Sequence, residues 1–387
     1  MDSRGSLTKR DTTISVITAS EGVVSPPYSR TATLVGTPGS PLSKQPPPVV
    51  HRHYWRVSSA FICFFAIGWG DGATGVVMPD MQIYFHLSYV MGSMLFMTGS
   101  VGFALMTFVA EPVAKLLGRF NIASERPSFI PAIFTSKKTA HSLSKGRCIS
   151  LFLFGLLHCA YFLFSASSPQ YYGILIAFFI GGLGKSIQIG ELNVFWTSNP
   201  RVPGISLLHG TYGIGAFVSP LICQTMKARG FPWRGFFWVS LGLALFNVLF
   251  GLYAFKTTQE EFEIEKSLAL ASEALSQTVA RNQTDVEVGE IDSASASKPK
   301  LRMSEIARMP FVWTIATVLG VYQGAETIAQ GFIVTFLLHE RNANPNTVGY
   351  VASGFWAGLS IGRVTWGILS PRFSQQAKIN YINFALG

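Results

Sequence analysis

Charged side chains are scarce in this chain. They make up 13% of its 387 residues, whereas soluble domains carry about 25%. A soluble enzyme of this length is therefore disfavoured. The four cysteines are also too few and too scattered for a disulfide framework or a metal cluster.

Several motifs of enzymes and ATP-driven pumps are missing from the sequence. It has no P-loop, no glycine-rich dinucleotide turn, no H-E-x-x-H metal site and no G-x-S-x-G nucleophile elbow. We therefore expect no enzyme activity, no cofactor, no metal and no nucleotide partner. A membrane enzyme that uses His209, Asp71 and Glu191 as acid–base groups is the alternative, although no local motif unites these residues.

Long apolar runs are what the chain does contain. Apolar residues make up 49% of it, and eight stretches reach the roughly 20 residues that a membrane-spanning helix needs. We place these spans near residues 57–79, 89–110, 148–166, 172–197, 204–226, 233–255, 311–337 and 347–369. A ninth run begins near residue 379 and continues to the last residue. The pattern predicts an all-α membrane protein with about eight complete spans and a ninth stub.

The basic residues lie mostly on one side of these spans. With a cytosolic N-terminus, 24 of the 30 Lys and Arg residues fall on the inner side and 4 on the outer side. Cytosolic loops of membrane proteins carry such an excess. We therefore predict a multi-pass membrane protein with its N-terminus in the cytosol, in either the plasma or the vacuolar membrane. The net charge of +10 then reflects topology, and no nucleic-acid partner is expected.

The same pattern divides the chain into four segments. Residues 1–53 are rich in Ser, Thr, Pro and Gly, which is typical of a disordered cytosolic tail. Residues 54–256 hold six spans and predict an N-terminal six-helix bundle. Residues 257–308 predict a cytosolic central loop that begins as an amphipathic helix. Residues 309–387 predict an incomplete C-terminal bundle.

Two acids occupy matching positions in the two halves of this plan. Asp71 lies among glycines in the first span, and Glu326 lies among small residues in the seventh. A basic turn follows each acid after the next span, at Arg119 and at Arg372. Internal repetition is common in transporters, so the pattern predicts two related halves.

Several motifs resemble a known family. The six-plus-six plan with a long central cytosolic loop resembles the major facilitator superfamily. The run Gly68–Gly75 is similar to the first helix of its fucose-permease-like branch. The run Tyr322–Gly331 is similar to the seventh helix of fungal members of the bypass-of-stop-codon type. Arg363 and Arg372 resemble the superfamily's loop motif, whose first-half copy near Arg119 lacks the usual aspartate.

The resemblance implies a secondary active transporter of a small solute, by analogy a sugar, that works by proton-coupled alternating access. The expected partners are the solute, protons and the lipid bilayer. The family has twelve spans, whereas eight and a stub are predicted here. The alternative is therefore a truncated member or fragment that does not transport and acts, if at all, through a membrane partner. A pore or a receptor is a further alternative, and the span count and the repeat disfavour a seven-span receptor.

Polar groups inside the spans are the candidate site residues. An ionised side chain at the bilayer centre costs at least about 2.5–3.5 kcal/mol on insertion scales, so it persists where it faces a partner or a wet cavity. The candidates for solute contact and proton coupling are Asp71, Glu191, Glu326, Lys185, Gln188 and His209. A structural role stays open for each, including that of a buried counter-ion to Glu191 or Asp71 for Lys185.

A second group of residues is expected to support these. Stacking or polar contact with a solute is expected from Trp69, Asn193, Tyr212, Tyr322 and Gln323. The resemblance implies gating or loop roles for Arg119, Arg363 and Arg372, and no ligand contact for the last two. In the branch, a coupling acid is placed about four residues before an Asn. Ile189 holds that position here, so either the register is shifted or the coupling acid is lost.

Overall fold

A computed structural model describes residues 52–133, 138–199, 201–202, 204–284, 305, 308–369 and 372–373. The predicted disordered tail therefore lies outside the described residues, apart from residues 52–53. The predicted ninth apolar run also lies outside the described residues.

The described residues fold into ten helices and one antiparallel hairpin. Their bounds in chain order are α1 His53–Gly72, α2 Thr74–Phe85, α3 Tyr89–Leu117, β1 Arg119–Asn121, β2 Thr139–His141, α4 Leu143–Ser167, α5 Tyr171–Thr197, α6 Ile205–Ala228, α7 Trp233–Phe255, α8 Gln259–Thr284, α9 Pro310–Arg341 and α10 Tyr350–Leu369. The hairpin pairs Phe120 with Ala140 and departs from the predicted all-α class.

Five helices, α3 to α7, are long and apolar enough to cross a membrane, and the pair α1–α2 makes a sixth span if it is counted as one. These helices support an integral multi-pass membrane protein. Helices α9 and α10 match the predicted seventh and eighth spans in position. Polar residues such as Gln323, Glu326 and Gln330 lower the mean hydropathy of α9, and the count of eight spans stays a prediction.

The first span is broken, which differs from the uninterrupted helix expected over 57–79. Helix α1 ends at Gly72, α2 begins at Thr74, and the two are bent by 40°. Pro79 lies within α2, where it lacks an N–H and its ring crowds the carbonyl of Gly75 four residues earlier. The break places Asp71 in the last turn of α1.

Helix α1 packs against α6 at very close range. A Cβ at Gly68 would overlap the carbonyl oxygen of Tyr212, and a Cβ at Gly215 would overlap that of Phe65. Small residues permit such contacts between helices in lipid, where dispersion forces and polar contacts hold helices together. The approach brings the Tyr212 side chain within reach of the last turn of α1.

Helix α8 agrees with the amphipathic pattern at the start of the central loop and lies against the hairpin and the beginning of α4. Phe262 of α8 is buried and packs edge-on against Phe120, with ring centroids 5.0 Å apart. Glu265 accepts hydrogen bonds from the hydroxyls of Ser142 and Ser144.

An ion pair joins α8 to α1. Arg56 donates from Nη1 and Nη2 to the two carboxylate oxygens of Glu261, at 2.5 and 2.8 Å. Burial alone would raise the pKa of Glu261, but the hydrogen bonds and charge of Arg56 outweigh it, so the pKa lies below its ordinary 4.5. Glu261 therefore stabilises the docked helix in its ionised form.

The close approach of α1 and α6 predicts that one added methyl group at Gly215 destabilises the protein. In Gly215→Ala the added carbon meets backbone atoms that cannot move aside, so we expect a loss of about 1–3 kcal/mol and a lower melting temperature in detergent. Gly242→Ala in α7 is the matched control, because a Cβ there meets no described atom within 4 Å. Equal melting temperatures for the two variants would contradict the packing.

The Arg56–Glu261 pair predicts a pH-dependent position of α8. Its contribution is complete above the ordinary glutamate pKa of 4.5 and is lost as the pH falls through the lowered value. Glu261→Gln should loosen α8 already at pH 7, by about 1–3 kcal/mol. A spin label at Ser276 would report the release as increased mobility.

The exposed neighbour Glu263 supplies the control for that experiment. Glu263→Gln should leave the spin-label spectrum and its acid midpoint as in the wild type. A spin label that stays immobile at pH 7 in Glu261→Gln would contradict the role assigned to the Arg56–Glu261 pair.

Candidate functional site

A cavity of about 700 Å³ lies where α1–α6 meet α9 and α10. Its size is typical of small-molecule sites. The residues that line it are Phe64, Asp71, Thr74, Phe96, Gly99, Ser100, Phe103, Tyr161, Phe178, Gly181, Lys185, Ile189, Ile205, Ser206, His209, Tyr212, Gln323, Glu326, Thr327, Gln330 and Arg363. The cavity thus brings seven of the predicted site residues together: Asp71, Lys185, His209, Tyr212, Gln323, Glu326 and Arg363.

The first ion pair in the cavity joins α1 to α5. Lys185 donates from Nζ to Oδ1 of Asp71 at 2.6 Å, and the Tyr212 hydroxyl donates to Oδ2 at 3.0 Å. The side chains of Lys185 and Asp71 are 23% and 25% exposed. Lys185 thus pairs with Asp71, one of the two acids considered as its partner.

The second ion pair joins α9 to α10 across the cavity. Arg363 donates from Nη2 to Oε2 of Glu326 at 2.8 Å and approaches the Tyr322 hydroxyl at 3.4 Å. The Glu326 side chain is 5% exposed and that of Arg363 37%. Each half of the chain thus contributes one carboxylate and one cation to the same space.

Uncharged polar groups and rings complete the cavity. Gln323, Thr327 and Gln330 lie on one face of α9, at the three- and four-residue spacing that a helix requires. Oε1 of Gln330 has no hydrogen-bond partner among the described residues. His209 packs edge-on against Phe64 with centroids 5.2 Å apart, and further rings face the cavity from α3, α4 and α5.

Polar contacts close the end of the cavity at which α2 and α6 finish. Thr335 of α9 donates to Oε1 of Gln82 at 3.2 Å, and Gln224 donates to the carbonyl of Pro345 at 2.8 Å. Backbone of α9 also packs directly on Gly75. At the opposite end, the cavity extends to the first turn of α6, at Ile205 and Ser206.

Trp69 departs from its expected stacking role. It is 6% exposed, stacks on Phe236 with centroids 5.3 Å apart, and donates from Nε1 to the Ser240 hydroxyl at 2.8 Å. Its ring fills the contact between α1 and α7, because it points to the opposite face of α1 from Asp71.

Three predicted residues of α5 also lie outside the cavity lining. Gln188 is 1% exposed and donates to the carbonyl of Gly184 at 3.0 Å, inside the helix bundle. Glu191 pairs with Arg147 of α4 at 3.5 Å, so it does not border one cavity with Lys185 as expected. Asn193 lies two residues further toward the end of α5.

The three arginines expected to act in gating lie in three different environments. Arg363 was expected to make no ligand contact, but it lines the cavity as the partner of Glu326. Arg119 lies in β1, where its carbonyl accepts from Lys145 Nζ at 3.0 Å. Arg372 is exposed.

Sequence reasoning missed Thr74, Tyr161, Thr327 and Gln330 as cavity residues. The spacing of Gln323, Thr327 and Gln330 is a signal that was present in the sequence, since it defines one helix face that includes Glu326. Tyr161 had no such signal, because only the packing of α4 against α5 and α7 shows where its ring points.

Comparison with known proteins identifies the family. The model of the Major Facilitator Superfamily matches residues 144–386, which is more than half of the chain. The chain belongs to the Major Facilitator Superfamily. Members of this superfamily are membrane transporters of small-molecule solutes and are generally not enzymes.

A relative places this Major Facilitator Superfamily chain in the fungal branch. It is 24% identical to Bypass of stop codon protein 6 of Saccharomyces cerevisiae over 341 residues, which cover 86% of this chain and 60% of the relative. The predicted resemblance is thereby confirmed. The chain spans less than two thirds of the length of that relative.

The Asp71–Lys185 pair predicts a strong energetic coupling between its partners. Asp71→Asn or Lys185→Met alone leaves one uncompensated charge in the cavity, whereas the double variant leaves none. Each single variant should lose about 1–3 kcal/mol, and the double variant less than their sum. Thermal melting of all four proteins in detergent measures the coupling.

The exposed pair Glu111–Lys115, whose side chains are 76% and 56% exposed, is the control cycle. Its coupling should stay below about 0.5 kcal/mol. Additive losses at Asp71 and Lys185 would contradict a direct ion pair.

Proposed function

We propose that the protein is a secondary active transporter that moves a small polar solute by alternating access, with protons as the coupling ion. The observation that carries the proposal is the single cavity with one ion pair from each half of the chain. A solute held between the pairs Asp71–Lys185 and Glu326–Arg363 contacts both halves at once. Its binding can therefore change the preferred arrangement of those halves.

In the absence of solute, the ion pairs stabilise the four charged side chains in the cavity. Inside a low-dielectric space, a lone carboxylate or cation is costly, and pairing lowers that cost. A solute that offers hydroxyl donors to the carboxylates, or acceptors to the cations, replaces one partner of a pair. Binding and the opening of a pair are then the same event.

Asp71 and Glu326 are the proposed proton carriers. Protonation removes the negative charge from a pair, which frees Lys185 or Arg363 to contact the solute. Glu191 is not included, since its contact with Arg147 places it outside the cavity. Proton loading and solute loading thus act on the same four side chains.

We infer alternating access from the difference between the two ends of the cavity. In this structure, contacts such as Thr335–Gln82 and Gln224–Pro345 close the end where α2 and α6 finish. Exposure to that side requires these contacts to break. If the N-terminus is cytosolic, as the basic residues predict, this structure opens toward the cytosol.

A sugar or a related polyhydroxylated solute fits the cavity chemistry best. Carboxylate and amide oxygens accept from hydroxyl groups. Aromatic rings from Phe96, Phe178 and Tyr161 offer faces on which a sugar ring can pack. The unpartnered Oε1 of Gln330 adds one acceptor.

Uptake into proteoliposomes tests the proposal. A panel of radiolabelled monosaccharides and polyols is presented at equal internal and external pH, and then with an inward proton gradient. We expect accumulation of at least one member with the gradient and its loss when a protonophore is added. Accumulation that persists with the protonophore would contradict proton coupling.

Glu326→Gln should weaken uptake driven by the proton gradient while solute binding is retained. The variant keeps a hydrogen-bonding group but cannot take up a proton, so gradient-driven uptake should fall by about tenfold or more, equivalent to roughly 1.4 kcal/mol. Exchange of solute without a gradient should persist. Glu340→Gln, at the exposed end of the same helix, is the control and should resemble the wild type.

A further inference from the structure

His158 is a buried polar side chain that the packing leaves without a partner. It lies in α4, is 1% exposed, and neither ring nitrogen has a hydrogen-bond partner among the described residues. Its neighbours are the rings of Phe162 at 4.8 Å and Tyr161 at 6.1 Å. Buried polar groups in native proteins are nearly always satisfied, so this exception requires an explanation.

The imidazole lies behind the Asp71–Lys185 pair. Gly70 and Gly184 immediately precede the two partners of the pair, and both glycines face His158. A Cβ at Gly70 would lie 3.7 Å from Nε2 of His158, and a Cβ at Gly184 would lie 3.0 Å from its backbone nitrogen. Gly70 thus has Nε2 of the ring among its neighbours, so Nε2 lies toward α1, whereas Gly184 packs on the backbone of α4.

Charged and titratable groups surround this position on several helices. They are Asp71 of α1, Lys185 of α5, Tyr161 of α4 and Tyr212 of α6, with Glu326 of α9 and Arg363 of α10 across the cavity. Burial of the ring disfavours the charged imidazolium and favours the neutral imidazole. A neutral imidazole offers one ring nitrogen as an acceptor.

We propose that His158 accepts a hydrogen bond from Asp71 when that carboxyl group is protonated and Lys185 is released into the cavity. The proposal rests on the proposed function in one respect, that Asp71 takes up the proton. Protonation gives the carboxyl group an O–H that can donate. With the imidazole proton on Nδ1, Nε2 of His158 is an acceptor toward α1 that has no partner among the described residues. The proton stays on Asp71 throughout.

His158 is thus a positioning residue that favours the open, proton-loaded form of the pair. In the closed form, Lys185 satisfies Asp71 and the imidazole has no partner. In the open form, the imidazole satisfies Asp71 and the Lys185 ammonium faces the solute. The missing partner of Nε2 is then the consequence of a structure held in the closed form.

Infrared spectroscopy of the full chain in lipid tests this without any solute, because the probe is the proton itself. The carbonyl stretch of protonated Asp71 is assigned by its absence in Asp71→Asn and is followed during a pH titration. His158→Phe and His158→Leu should move its midpoint to lower pH by about 0.5–1 unit, as expected for the loss of one hydrogen bond. His158→Gln retains an acceptor and should hold the midpoint near that of the wild type.

Two further measurements complete the test. His339→Gln, at the exposed end of α9, is the control and should leave the midpoint unchanged. If the apolar variants fail to fold, the ring nitrogen resonances of His158 in the wild type should shift across the Asp71 midpoint. A constant resonance there would overturn the proposal, as would unchanged midpoints in folded His158→Phe and His158→Leu.

The outcomes distinguish this inference from the proposed function. A midpoint shift in His158→Phe together with absent uptake would remove the transport proposal and leave the role of His158 intact. If uptake is proton-driven but the Asp71 midpoint is unchanged in His158→Phe, only the role of His158 is contradicted. If no Asp71 band titrates, both the hydrogen bond and the proton-carrying role of Asp71 are overturned.

Discussion

A charge inside a membrane must be paired or hydrated, and this constraint organises the structure. The chain places a carboxylate in each of two halves, and each carboxylate meets a cation across a helix contact, Lys185 for Asp71 and Arg363 for Glu326. The pairs line a cavity, and in the proposed mechanism each exchanges its partner for a proton or a solute group. A packed core would allow no such exchange.

Close backbone packing makes these pairs possible. The glycines of α1 let α6 approach until the Tyr212 hydroxyl reaches Asp71. Gly70 leaves room for the rings of Phe162 and His158, and Gly184 lets α5 approach the backbone of α4. The break between α1 and α2 sets Asp71 at a helix end. Small residues therefore determine where the polar residues can act.

The sequence predicts the charges better than it predicts their partners. Apolar runs and the basic bias indicate a multi-pass membrane protein, and an acid in an apolar helix indicates a functional position. The direction of a side chain depends on packing, so Trp69 and Glu191 took other places than expected. The α1–α2 break was not predicted despite Pro79, because glycine and proline are also tolerated in continuous membrane helices. The hairpin strands, each three residues long, are too short for a periodic signal.

Alternating access to the cavity is the central claim, and cysteine labelling at Thr327 tests it most directly. The four native cysteines are buried, so Thr327→Cys in sealed, oriented vesicles can be labelled selectively with a membrane-impermeant thiol reagent. The account predicts labelling only from the side on which α1 and α6 begin, and a transfer of reactivity to the opposite side when solute and a proton gradient are supplied. Simultaneous labelling from both sides, or reactivity that never changes sides, would contradict it.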